Sequence, residues 1–157
     1  MQDHLSLVWR LRLPILQAQS PADLVASILS RVLGDKVSEY AYVDFASGAG
    51  GPTPYIERNL NGRITAKGQD AKPAKFVLTD LHPHKEAWKA LAKKSANLGF
   101  VENSVDAADA PADLLDRVPG AQGKKTMRLF SLAFHHFDDD LAAEILRNTA
   151  DTADGFW

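Results

Sequence analysis

Apolar and polar positions alternate in blocks along the chain, and each block carries its own period. Leu24, Val25, Ile28, Leu29 and Val32 recur at i, i+4, i+8 spacing, which gathers them on one face of a helix. Three cues open that helix: Ser20 as hydroxyl N-cap, Pro21 at the first helical position and Asp23 three residues past the cap. Gly34 is suited to close it in the left-handed conformation. Tyr40 to Phe45 is a β-rich run that ends in the glycine-rich stretch Ala46-Ser47-Gly48-Ala49-Gly50-Gly51. Pro52 to Leu60 reads as a second helix with Ile56 and Leu60 on one face. From Asn61 to Ala74 the chain turns polar and loses its period, which predicts a loop insertion.

Lys75 to Asp80 is short and apolar, as expected for a strand covered on both faces. Lys85 to Ala96 has helical spacing, with Trp88, Leu91 and Ala92 inward and Lys85, Lys89 and Lys93 on a solvated face. Phe100 to Val105 reads as a third strand ending at Asp106, and Asp109 to Arg117 as a weaker helical segment. Pro119 to Lys125 is turn-rich, and Arg128 to Phe134 reads as a fourth strand. Asp138, Asp139 and Asp140 then supply acidic first-turn residues to a helix through Leu141, Ile145, Leu146 and Thr149. Gly155-Phe156-Trp157 opens a fifth strand. Alternation of this kind predicts an α/β, Rossmann-like, doubly wound and mostly parallel sheet of about four to five strands, with helices on both faces.

At 157 residues there is enough chain for one domain, assigned here to 20–157, behind a flanking segment over 1–19. The flanking segment is apolar, but Arg10 and Arg12 break it well short of a membrane span, and no signal-peptide cleavage pattern follows. It reads as a packing segment, with Trp9 and Leu11 available as a lid. Composition is ordinary for a globular protein, with 45% apolar and 24% charged residues. Eighteen basic against twenty acidic residues leave a net charge of −2, which provides no field for nucleic acid or an anionic membrane. The absence of cysteine removes disulfides, thiolate zinc sites and a cysteine nucleophile, and fits a reducing, cytoplasmic setting. His82, His84, His135 and His136 match no metal signature, so no metal is expected.

In a doubly wound sheet, ligands bind outside the carboxyl ends of the strands, and the chemistry-bearing residues fall there. The glycine-rich turn follows the first strand, where backbone amides can approach a ligand closely. Asp80 ends the second strand, and its carboxylate can accept two ribose hydroxyls at once. It lies farther from the turn than the roughly 20 residues usual for such an acid, and the polar stretch at 61–74 accounts for the excess. Asp106 ends the third strand, and Phe134-His135-His136 the fourth.

These segments resemble the class I S-adenosylmethionine-dependent methyltransferases. The family's motif acidic-x-Gly-x-Gly-x-Gly is similar to Asp44-Phe45-Ala46-Ser47-Gly48-Ala49-Gly50, with Ala46 in place of the first glycine. Val77-Leu78-Thr79-Asp80 resembles the second motif, and Asn103-Ser104-Val105-Asp106-Ala107 followed by Pro111 the third. Leu132 to Asp139 resembles the stretch around the fourth strand of small-molecule methyltransferases. The resemblance implies S-adenosylmethionine as cofactor, held by Asp44, Ala46, Ser47, Gly48, Gly50, Gly51, Asp80, Asp106, Ala107 and Phe134. Within it, Asp80 would hold the ribose and Asp106 the adenine amine. His135 and His136 are candidate bases toward a small-molecule methyl acceptor, because an ordinary histidine takes a proton near neutral pH.

Two other readings compete. The turn and the acid would also serve a nicotinamide dinucleotide, although Thr53 stands where Gly-x-Gly-x-x-Gly needs its third glycine. A non-catalytic partner subunit is the third reading. The family's sheet has seven strands, so the chain is expected to be a shortened form that associates with itself through an exposed sheet edge.

Overall fold

Ser20 starts the first helix as its type dictates: the Asp23 amide donates to its hydroxyl at 3.3 Å. Helix α1 (Pro21–Leu33) follows, and Gly34 closes it at φ 56°. The computed structural model describes residues 19–68 and 71–157, so the flanking segment and its lid residues Trp9 and Leu11 lie outside the described residues. A 3₁₀ turn at Gly34–Glu39 leads into β1 (Tyr40–Asp44). There follow α2 (Thr53–Lys67), β2 (Lys75–Leu78), α3 (Lys85–Ala92), β3 (Leu98–Phe100), β4 (Lys125–Leu129), α4 (Asp139–Thr152) and β5 (Gly155–Phe156).

The five strands form one sheet in the order β3-β2-β1-β4-β5, and every pair is parallel. The fold is an α/β, Rossmann-like doubly wound sheet. Register places Tyr42 beside Phe76 and Met127, and Val43 beside Val77 and Arg128. Because side chains alternate across a strand, the sheet has two differently occupied faces. Tyr42, Phe76, Leu78 and Leu129 pack with Ala26 and Leu29 of α1, Ile56 and Leu60 of α2, and Trp88 of α3. Ala41, Val43, Phe45 and Val77 pack beneath Val101, Val105, Leu114, Leu115 and Val118 of the long β3–β4 connection. On that second face α4 attaches through Thr149 and Thr152, which bond Arg128. Burial on both faces explains why β1 and β2 read as unbroken apolar runs.

Several boundaries differ from the sequence expectation, each for an identifiable reason. The stretch 61–74 is not all loop: α2 continues to Lys67, with Ile64 buried one turn beyond Leu60 on the same face, a single apolar residue that the polar ones around it mask in the sequence. Asn61 then binds both backbone groups of Ala74, at 2.7 Å and 3.0 Å, and so fixes the entry to β2. Strand β3 covers Leu98–Phe100 only, and Asp106 lies in the loop beyond it rather than at its end. Asp109 to Arg117 is not a helix but a turn-rich segment with one 3₁₀ turn at Leu114–Arg117. Strand β4 runs over Lys125–Leu129, earlier than expected, and Leu132 at φ 60° turns the chain off the sheet before Phe134. Among the described residues no helix is long and apolar enough to cross a membrane.

Candidate functional site

Strands β1 and β4 are neighbours, yet the chain leaves β1 toward β2 on one side and reaches β4 on the other. The connections therefore part at the carboxyl ends of these two strands and leave a crevice between them. The turn after β1 borders it. Ala46 and Gly48 have φ values of 53° and 54°, Gly50 of 113° and Gly51 of 47°, so the turn is built from left-handed residues. Gly50 is favoured by its φ of 113°, and a Cβ there would also press on the far end of the Leu91 side chain, 2.5 Å away at Cδ1.

Neighbouring elements hold this turn from several sides. The Ser47 amide donates to the Thr79 carbonyl at 3.1 Å, and the Gly48 amide to Asp80 Oδ2 at 2.8 Å. Asp80 uses its other oxygen to accept the His82 amide at 2.8 Å. Trp88 Nε1 donates to the Gly48 carbonyl at 2.8 Å. Asp80 thus reaches the turn directly, and each of its oxygens keeps a further lone pair for a hydroxyl donor.

Asp44 lies under the turn, fully buried. Thr53 Oγ1 donates to its Oδ2 at 2.5 Å, while Oδ1 has no hydrogen-bond partner. Burial pushes the carboxyl up to about 7; Thr53 and nearby Ser131 oppose the rise, and the charge of Asp80 adds to it. Ser131 stands close to the carboxyl, but neither its amide nor its hydroxyl meets hydrogen-bond geometry at Oδ1. The hydroxyl of Ser47 is a second buried polar atom without a partner. Two unsatisfied buried atoms at one turn are uncommon in a folded chain and mark a place where a ligand can supply donors.

The β3 and β4 sides complete the crevice. The Val105 amide donates to the Asp80 carbonyl at 3.0 Å, which returns the chain to the end of β2 and sets Asp106 beside it. Asp106 Oδ1 accepts the Ala108 amide at 2.8 Å, and the Ala107 carbonyl accepts from Arg128 at 3.3 Å. Phe45 stacks on Phe130 at 5.7 Å, and Phe134 meets Phe130 edge-on at 4.9 Å. These contacts bring Asp44, Ala46 to Gly51, Asp80, Asp106, Ala107 and Phe134 to one end of the sheet. His135 and His136 are exposed, their rings 3.8 Å apart, with no hydrogen bond to the other members. Two cavities lie elsewhere: about 640 Å³ along the β3 edge by Lys75, Phe100 and Arg117, and about 290 Å³ between α2 and α3 by Glu57 and Leu91. The crevice is an open surface of loops, and position relative to the strand ends singles it out rather than depth.

No family model matches the sequence, and no curated protein does. Six solved chains match. One is an O-methyltransferase family protein from Burkholderia thailandensis, 17% identical, with a TM-score of 0.48 over 85% of this chain and 37% of that one. This chain therefore spans little more than a third of that protein's length.

Three residues that shape the crevice escaped the sequence reading. Thr53 counted only as a departure from a glycine pattern, yet it is buried and bonded to Asp44. Trp88 carried a core signal, and nothing in its spacing announced that its ring nitrogen would reach the turn. Arg128 was placed at the start of a strand, where a charged residue ordinarily faces solvent, whereas here it is 2% exposed. Burial pulls its pKa down to about 10, which leaves it charged at neutral pH. Among the described residues no group of three metal-binding side chains converges.

Proposed function

We propose that this chain is the cofactor-binding part of a class I methyltransferase-type domain, which takes S-adenosylmethionine and serves a small-molecule acceptor. The observation that carries the reading is the pair of partnerless buried atoms, Asp44 Oδ1 beneath the turn that Asp80 clamps and Ser47 Oγ within it. A cationic amine donor fits the unpaired Oδ1 of the buried Asp44 carboxyl, whose other oxygen Thr53 holds, and its charge would draw the Asp44 pKa down from about 7. The Asp80 carboxylate suits the paired hydroxyls of a ribose, and Asp106 with Ala107 the edge of an adenine. Phe134 would supply an aromatic wall. Bound there, the cofactor supplies an activated methyl group. The protein's part is then chiefly alignment and exclusion of water. His135 and His136, on the turn after β4, would be the candidate bases for a proton of the acceptor on that side.

Thr53 supports this reading over a dinucleotide site. It occupies the position of the third glycine, and its buried side chain binds Asp44 at 2.5 Å. In a dinucleotide fingerprint that position is glycine so that helix and strand can pack closely. Calorimetric titration with S-adenosylhomocysteine and with NAD tests the assignment. Binding of the first alone is expected, weakened by about 1–3 kcal/mol in Asp80→Ala through loss of a charged acceptor. Binding of NAD alone would transfer the site to a nicotinamide enzyme. Binding of neither at high micromolar concentration would leave a non-catalytic partner subunit.

A further inference from the structure

Arg128 is the penultimate residue of β4, 2% exposed, and it makes no salt bridge among the described residues. A buried cation without a carboxylate partner is expensive, and the other inward residues of β1 and β2 on that face, Ala41, Val43 and Val77, are aliphatic. Its surroundings show what the guanidinium contributes. One terminal nitrogen donates to the Ala107 carbonyl at 3.3 Å and to Thr149 Oγ1 at 3.1 Å, and the other to Thr152 Oγ1 at 2.5 Å. Its Cζ lies 4.7 Å from the centre of the Phe45 ring, the residue that enters the glycine-rich turn. Three segments that the chain order keeps apart therefore meet on one side chain.

The loop at 106–109 is bonded mostly to itself. The Ala108 amide donates to Asp106 Oδ1 and the Asp109 amide to the Asp106 carbonyl. Its hydrogen bonds to the rest of the sheet lie on either side of Asp106, the Val105 amide on the Asp80 carbonyl and the Ala107 carbonyl on Arg128, while Val105 and Ala110 are buried in the second apolar cluster with Ala107 packed against it. Anchors on both sides of one residue fix its direction, whereas a single anchor leaves it free to swing. We propose that Arg128 is the positioning residue of this site, holding Asp106 in place through the Ala107 carbonyl and so setting selectivity for the base of the bound nucleoside. The selectivity rests on the function proposed above; the tether itself does not.

Hydrogen exchange on the ligand-free protein tests the tether. Arg128→Met keeps the length and removes every donor, and Arg128→Lys keeps a single cationic head. Loss of a hydrogen bond from a charged donor should speed exchange at Ala108 and Asp109 by roughly tenfold or more in Arg128→Met, with Arg128→Lys between it and the parent. Amides of α1 and α2 should keep their rates. Ile64→Val, which loosens the other face of the sheet, should not single out the 106–109 loop. Unchanged exchange at Ala108, or acceleration spread evenly over the chain, would overturn the tether. Should Arg128→Met fail to fold, Arg128→Lys carries the same reading.

A ligand arm tests the selectivity. The ratio of affinities for S-adenosylhomocysteine and for S-inosylhomocysteine, in which a carbonyl replaces the base amine, should fall alike in Asp106→Asn and Arg128→Met. The double variant should lose nothing more. A wild-type ratio in Arg128→Met overturns the selectivity claim. If the parent protein binds neither ligand, the proposed function fails, and the exchange arm still decides whether Arg128 positions the loop.

Discussion

Asp44 shows how one residue can tie the site to the stability of the whole. Its carboxyl is raised from an ordinary 3.8 to about 7 because burial disfavours the charge. In the unfolded chain it ionises near its ordinary value, so between those two limits the folded state binds the extra proton. The stabilisation is complete below pH 3.8 and is lost as pH rises through about 7. Asp44→Asn removes the titration while keeping the shape. We expect the variant to match the parent near pH 4 and to exceed it by about 2–4 kcal/mol at pH 8, measured by urea unfolding at both values. A constant difference across that range would show that Asp44 ionises normally. Gly50 gives a second expectation at this scale. Gly50→Ala meets both a φ of 113° and Leu91 Cδ1 at 2.5 Å, and should cost about 1–3 kcal/mol in the same assay. Single residues were the most legible part of the sequence where they acted locally. Ser20, Pro21 and Gly34 marked the ends of α1 correctly because capping is a contact between near neighbours. Thr53, Trp88 and Arg128 act across distances of 9 to 40 residues, and no local pattern encodes those partners.

Elements were legible where one face is apolar and hidden where it is not. Helix α2 illustrates the failure. Its second half buries Asn61 and, one turn earlier, Glu57, and although Ile64 continues the stripe of Ile56 and Leu60, the polar residues around it mask the apolar period. Asn61 does structural work in its place: its amide nitrogen donates to Glu57 at 2.8 Å and to the Ala74 carbonyl at 3.0 Å, and its oxygen accepts the Ala74 amide at 2.7 Å. The helix is thereby pinned to Ala74, the residue just before β2. Asn61→Ala leaves the Ala74 amide and carbonyl buried without partners, and should lower stability by about 2–4 kcal/mol in urea unfolding. Asn61→Asp should also destabilise, since it keeps the acceptor for the Ala74 amide but sets a carboxylate against Glu57. If both variants melt like the parent, the connection is held by something other than this side chain. Strand β4 was misplaced for a related reason. It begins at Lys125 and Thr126, whose polar side chains suggest a turn, and it carries the buried Arg128 where an apolar residue is the norm. The order of the strands survived these errors, because it needs only the type of each block and not its ends; the helix expected over 109–117 is a turn-rich segment instead.

At the scale of the whole molecule, the crevice is where the two packed layers meet. On one side Trp88, from the layer of α1, α2 and α3, holds the Gly48 carbonyl. On the other, Arg128 joins the 106–109 loop and α4, while Phe45 belongs to the second apolar cluster. A ligand that engages the turn after β1, Asp80 and Asp106 together touches connections belonging to both layers, and it must leave before either layer can unfold. Its binding energy should therefore appear in the global transition and not only in local protection. At a concentration of one hundred times Kd the linkage amounts to about 2.7 kcal/mol. For a chain of this size that corresponds to a rise in Tm of roughly 5–10 °C. Calorimetric melts with and without S-adenosylhomocysteine measure it, with far-ultraviolet and near-ultraviolet dichroism followed in parallel. The expected result is one transition, shifted upward and coincident by both probes. Saturating ligand that leaves Tm unchanged would mean that it does not bind the folded chain in preference to the unfolded one, and the coupling would fall with it. A shift seen by only one probe would mean that the layers unfold separately, and that the crevice does not couple them.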